Sequence, residues 1–134
     1  MPAHTSPAAG VAEPIERGAV MGDPVVHWEI MGKDAPKLHK FYSDLFGWSI
    51  KADNPMGYGL IAGPDAGGVG GGIGSGDGTT YVTIYVKVND LQAYLGKVER
   101  LGGKTVVPPT EIPGMVTFAL FSDPDGNHVG LIKG

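Results

Sequence analysis

Apolar residues recur along this chain first at every second position and then at every third or fourth, and the same order is met twice. In VVHWEIM, Val26, Trp28 and Ile30 share one face, while Val25, His27, Glu29 and Met31 share the other. That alternation predicts a half-buried strand. DAPKLHKFYSDLFG follows, with Leu38, Phe41, Tyr42, Leu45 and Phe46 at helical spacing. One face of a helix is predicted, with Asp34 as N-cap, Pro36 in the first turn and Gly47 as the left-handed residue that ends it. The short pieces WSIKA, GYGLIA and GVGGGI then read as strands.

The second half repeats the order. YVTIYVKV places Val82, Ile84, Val86 and Val88 on one face and Thr83, Tyr85 and Lys87 on the other. Asp90 caps LQAYLGKVERLG, whose Leu91, Tyr94, Leu95, Val98 and Leu101 form a stripe closed by Gly103; KTVVP, MVTFALF and HVGLI complete the unit. Asp34 to Asp90 and Gly47 to Gly103 are both shifts of 56, and the Pro-Asp pairs at Pro64 and Pro124 differ by 60. Each Pro-Asp pair predicts a type I turn. The pattern is strand, helix and three strands, duplicated. The helices and the apolar strand faces are expected to pack together. The polar faces carrying His27, Glu29, Thr83, Tyr85 and Lys87 then meet in a cleft between two four-stranded sheets, because burying them unpaired is costly.

Composition narrows the function. At 134 residues the chain fits one domain with a real core. It has no cysteine, so thiolate metal sites and disulfides are excluded. A net charge of −4 argues against nucleic acid or an anionic membrane as partner. No apolar run approaches the ~20 residues of a membrane helix, and the start lacks the pattern of a signal peptide. The expectation is a soluble, cytoplasmic protein. Residues 1–22, rich in Ala, Pro and Gly, read as a flexible arm. Residues 23–134 read as the domain, with module one at 23–75 and module two at 79–134.

HWEIMGKDAPKLHKFYSDLFGW, VNDLQAYLGKVERLGGK and FSDPDGNHVGLI together resemble the vicinal oxygen chelate superfamily, the glyoxalase, bleomycin-resistance and extradiol-dioxygenase group. The resemblance covers roughly residues 23–133. It implies an α+β fold in which two βαβββ modules pair into one glyoxalase-like domain with a central cleft. It also implies a homodimer. In metal-dependent members, the first and last strands of each module supply four ligands to a divalent ion that polarises two neighbouring substrate oxygens. Carried over, those positions fall on His27, Thr83, Gly130 and, by the shift of 60, Gly70. Only His27 suits Zn, Ni, Mn or Fe, and both expected carboxylates are missing. The expectation is therefore no metal cofactor.

The glycine run GGVGGGIGSGDG, residues 67–78, holds neither G-x-G-x-x-G nor Gly-Lys-Ser/Thr, so it does not read as a phosphate cradle. Gly70 and Gly130 are expected to leave space in the cleft for a ligand or for a close backbone approach; a bulge or barrel bend is the other reading. His27 is read as a ligand contact. Glu29 is read either as a general base or as an ion-pair partner of Lys87. Tyr85 stacks on or bonds a ligand, or packs the cleft wall. His128 shares parity with Gly130 and either enters the cleft as a ligand contact or, beside a hairpin turn, is exposed; His27, Glu29 and His128 together would make an unorthodox metal site. His39 is expected on the solvated side of the helix, Trp28 in the core, and Trp48 at a helix-strand junction or a rim. Two functions follow: a small-molecule-binding protein without the superfamily's usual metal, or a lyase, isomerase or epimerase using a metal or Glu29 on a small oxygenated substrate.

Overall fold

A computed structural model describes residues 22–134. The expected arm, residues 1–22, lies outside them except for Gly22. In chain order the elements are β1 (Val25–Met31), α1 (Ala35–Phe46), β2 (Gly59–Ile61), α2 (Gly63–Ala66), β3 (Gly71–Gly74), β4 (Tyr81–Val88), α3 (Leu91–Arg100), β5 (Lys104–Ile112), β6 (Val116–Ser122) and β7 (His128–Lys133).

The helix ends follow local chemistry. Asp34 accepts a hydrogen bond from Lys37 N at 3.1 Å, and Asp90 accepts one from Ala93 N at 3.0 Å. Each satisfies a backbone donor that a helix start leaves unpaired. Gly47 ends α1 with φ +73°. At the end of α3 the left-handed residue is Gly102, with φ +101°, one position before the expected Gly103. Pro64 and Asp65 form the single-turn helix α2 rather than a β-turn.

The strands make one seven-stranded sheet in the order β2-β3-β1-β4-β7-β6-β5. β1 and β4 pair antiparallel at its centre, and each runs parallel to the last strand of its own module, β3 or β7. The duplication is thus visible in the topology. The expectation of two four-stranded sheets is corrected, since the sheet is continuous across β1 and β4. WSIKA contributes only an isolated bridge between Lys51 and Leu60. Its place is at the sheet margin, where short pairing is the usual protection against unwanted strand addition.

Module two holds the main core. Val88, Leu91, Leu95, Ala119 and Leu131 are buried together, with Val86, Tyr94 and Phe121 against them. Module one is thinner. Of α1 only Ala35 is buried; Phe41, Leu45 and Phe46 are 55, 57 and 55 % exposed. The sheet beneath α1 offers two short strands, so half the predicted stripe has nothing to pack against. Val82 and Ile84, expected under a helix, are likewise exposed on the outer face of β4.

Candidate functional site

Register decides which side chains meet. Glu29 on β1 lies opposite Thr83 on β4 and Gly72 on β3, and His27 lies opposite Tyr85. Tyr85 lies beside Gly130 on β7. A Cβ on Gly72 would collide with the Tyr58 ring, and one on Gly130 with the Tyr85 ring. The strand glycines are therefore floors for two tyrosine rings. Asn54 holds the Tyr58 backbone from both sides, its amide donating to Tyr58 O at 2.8 Å and its oxygen accepting from Tyr58 N at 3.0 Å.

The two rings aim their hydroxyls at one carboxylate. Tyr58 Oη donates to Glu29 Oε2 at 2.8 Å. Tyr85 and Tyr81 donate to Oε1 at 3.0 and 3.4 Å. Glu29 is 7 % exposed, so these three phenols replace the water that a carboxylate needs. His27 Nε2 lies 2.9 Å from Tyr58 Oη. Because the Tyr58 hydroxyl hydrogen is directed at Glu29, the imidazole is the donor here, which places its proton on Nε2 and leaves Nδ1 as an acceptor. The chain of bonds runs His27 to Tyr58 to Glu29.

Burial sets the protonation states. The phenols of Tyr58 and Tyr85 are pushed well above the ordinary tyrosine range, first by burial and then by the Glu29 charge. Tyr81 is raised to about 12 by the same two causes. Burial lowers the His27 pKa, favouring the neutral ring. At neutral pH the site holds neutral phenols and a neutral imidazole.

Two members of the cluster reach open space. His27 lines a depression of about 450 Å³ shared with Ser49, Lys51, Leu60 and Asp65. Tyr81 lines another, of about 560 Å³, at the opposite end of β1. Glu29 lines neither.

Several expected residues take other roles. Gly70 lines the depression beside His27, where a Cβ would press on Ile61 O at 2.7 Å and Gly63 N at 2.9 Å, so the glycine serves a close backbone approach. The register counterpart of Gly130 is Gly72 rather than Gly70, because the strand partners of Tyr85 and Glu29 are Gly130 and Gly72, a shift of 58 rather than 60. Gly130 is in the cleft, but its space is filled by Tyr85. Thr83 is buried with its hydroxyl donated to His128 O at 2.5 Å. The His128 side chain is exposed, and no group of three His, Cys, Asp or Glu converges among the described residues. The His27–Glu29–His128 metal site is therefore not assembled. Lys87 does not pair with Glu29; it lies opposite Ile132 with its side chain against Gly134. The reason is register, since Lys87 sits four residues beyond Thr83, the partner of Glu29.

Other side chains are structural. His39 is not solvated; its Nε2–H is donated to Ile73 O at 2.6 Å, tying α1 to β3. Trp28, half-buried, donates to Val69 O at 2.7 Å and packs against Trp48 with ring centroids 5.1 Å apart. Tyr58 was missed by sequence reasoning. Its one signal is parity with the glycine-rich strand, and only the sheet order shows that Tyr58 and Gly72 meet.

A divalent metal of the superfamily type does not fit this donor set. His27 and Glu29 are the only classical donors among its members. The carboxylate oxygens are taken by phenols, and a neutral phenol is a poor ligand for first-row ions.

Comparison with known proteins agrees with this fold. The family model described as the Glyoxalase/Bleomycin resistance protein/Dioxygenase superfamily matches residues 25–131. No curated protein matches the chain. Among solved structures, a glyoxalase/bleomycin resistance protein/dioxygenase superfamily member from Vibrio splendidus 12B01 superposes with a TM-score of 0.57 at 18 % identity, covering 84 % of this chain and 100 % of that one. Methylmalonyl-CoA epimerase from Mycobacterium tuberculosis gives 0.59 at 15 % identity, covering 87 % and 93 %. A hypothetical protein from Bacillus halodurans C-125 gives 0.64 at 10 % identity, covering 85 % and 96 %. At such identities these likenesses concern the fold alone. The matched residues run from the first strand to the last, through paired modules that meet at β1 and β4, and the chain belongs to the Glyoxalase/Bleomycin resistance protein/Dioxygenase superfamily.

Proposed function

We propose that this chain is a small-molecule-binding member of the superfamily that works without the usual divalent metal. Its ligand sits in the depression beside His27. One observation carries the reading: Glu29 has both carboxylate oxygens engaged by three phenols. A carboxylate so engaged organises its neighbours rather than grasping an ion or taking a proton. The depression, about 450 Å³, is within the size range of small-ligand sites. His27 offers Nδ1 as an acceptor, Ser49 and Lys51 offer donors, and Leu60 and Val26 give apolar wall. This favours a compact ligand with an apolar body and a hydrogen-bond donor.

The test is thermal stability with Zn, Ni, Mn and Fe(II), and then with a panel of small aromatic compounds. A ligand that binds only the native state raises the melting temperature by mass action. The reading expects stabilisation by a compound and none by metal. Stoichiometric metal binding that is lost in His27→Ala overturns it.

A second reading, an enzyme of lyase, isomerase or epimerase type, is favoured by the bond chain from His27 through Tyr58 to Glu29. There His27 Nδ1 takes a proton from a carbon acid in the depression, and the Tyr58–Glu29 pair stabilises the resulting imidazolium. The methylmalonyl-CoA epimerases of similar fold carry epimerase chemistry in their names, which keeps that class in view without assigning their substrate. Hydrogen exchange of a carbon acid into solvent, lost in His27→Gln, distinguishes this reading from binding alone.

The same reading takes the protein as a cytoplasmic homodimer. The exposed Phe41, Leu45 and Phe46 of α1 supply an apolar row that a second copy would cover. Sedimentation at micromolar concentration tests the dimer, and a clean monomer overturns it. Cell fractionation tests the location.

A further inference from the structure

The depression at the other end of β1 has a different chemistry. Ile30, Met31, Leu38 and Val82 give it an apolar wall, Lys33 and Lys37 line it too, and Tyr81 alone of its lining belongs to the Glu29 cluster. Both lysines are exposed, and among the described residues neither has an ion-pair partner. One carboxylate, Asp34, also lines it and caps α1 by accepting from the Lys37 backbone N–H, so the lining carries two positive charges against one negative. The lining thus keeps a net positive charge beside an apolar wall, on a chain of net charge −4.

We propose that this depression is a second binding site, for a small apolar molecule carrying one anionic group. The apolar body lies against Ile30, Met31, Leu38 and Val82, and the anion rests between Lys33 and Lys37. Charge complementarity selects this occupant. A neutral apolar compound would leave both ammonium groups unused, and a cation would meet them directly. The volume of about 560 Å³ admits a bicyclic aromatic acid. Val82, 72 % exposed, and the half-buried Leu38 and Ile30 are the surfaces such a molecule would cover. The site does not depend on the reading given to His27, because no residue lines both depressions.

The experiment is a titration of the 15N-labelled full chain, followed by amide chemical shifts, with naphthalene-2-carboxylate and with its uncharged counterpart naphthalene-2-methanol. The carboxylate is expected to give saturable shifts at Ile30–Leu38 and Thr80–Val82 and to bind more tightly than the alcohol. In the surface double variant Lys33→Ala/Lys37→Ala the carboxylate falls to the affinity of the alcohol, a loss of roughly threefold to tenfold for two exposed charge contacts. Lys97→Ala/Lys104→Ala, at two lysines outside the depression, leaves both probes unchanged. Equal affinity for the two probes overturns the proposal. So does an equal loss in both double variants, the absence of saturable shifts up to probe solubility, or shifts centred on Phe41–Trp48. Shifts at His27, Ser49 and Lys51 instead would place the acid in the other depression. They would overturn this site while leaving the small-molecule reading intact.

Discussion

Tyr58 lies flat over Gly72 and donates its hydroxyl to Glu29 at 2.8 Å, so a glycine on β3 and a carboxylate on β1 are joined through a residue that belongs to neither strand. The arrangement explains why the strand is glycine there. A side chain at Gly72 and the Tyr58 ring cannot occupy the same space. The pair Gly130 and Tyr85 repeats the device in module two.

Tyr58→Phe removes what is, among the described residues, the sole donor to Glu29 Oε2, and with it the acceptor for His27. A buried acceptor left unpaired costs about 1–3 kcal/mol. Urea denaturation should show a lowered midpoint with an unchanged slope. Glu29→Gln should be destabilising as well, since its amide N–H₂ would face phenol protons. Wild-type stability in both variants would mean that the cluster holds nothing together.

Gly72→Ala and Gly130→Ala each force a tyrosine ring off its floor. Overpacking of this kind costs about 1–3 kcal/mol. Gly70→Ala presses on backbone atoms of the α2 turn instead. The first two substitutions should therefore alter tyrosine near-UV circular dichroism, and the third should leave that signal in place.

Alkaline stability follows from the phenols. Their pKa values are raised from an ordinary 10, so the folded state holds these protons more tightly than the unfolded one. Their contribution is full below pH 10. It is lost as pH rises, through about 12 for Tyr81. Absorbance at the phenolate band should show fewer titrating tyrosines before unfolding than after it. A full tyrosine complement titrating near pH 10 in the native protein would contradict the buried cluster.

His27 gives the opposite slope on the acid side. Its pKa lies below the ordinary 6.5, so the unfolded state binds the proton more readily. Stability should fall as pH drops below 6.5, and His27→Gln should flatten that part of the profile. An unchanged profile in the variant would show that His27 is as solvated folded as unfolded.

Packing should differ sharply between the modules. Leu95, 1 % exposed, sits in the α3 core, and Leu95→Ala should cost about 2–5 kcal/mol. Val82→Thr, at a residue 72 % exposed, should stay within about 0.5 kcal/mol. Comparable losses would mean that Val82 is covered in solution, as it would be by a bound partner or ligand.

The chain's own order of residues was enough for the elements and their duplication. Period-two and period-3.6 patterns, aspartate caps and Gly47 depend on neighbours within a few positions, so β1, α1, β4 and α3 could be read directly. Parity also put His27, Glu29, Thr83 and Tyr85 on one face, because alternation along a strand is a local rule. Register between strands is not local. A difference of two residues in the module-to-module shift made Gly72, not Gly70, the counterpart of Gly130. The four-residue step from Thr83 to Lys87 removed the expected ion pair. Nothing near Tyr58 in the chain announces Glu29, since the two are 29 residues apart and meet only because β3 lies between β2 and β1. The same holds for burial. Helical spacing marked Phe41, Leu45 and Phe46 as one face, but whether a face is covered depends on how much sheet the rest of the chain sets beneath it, and beneath α1 there is little.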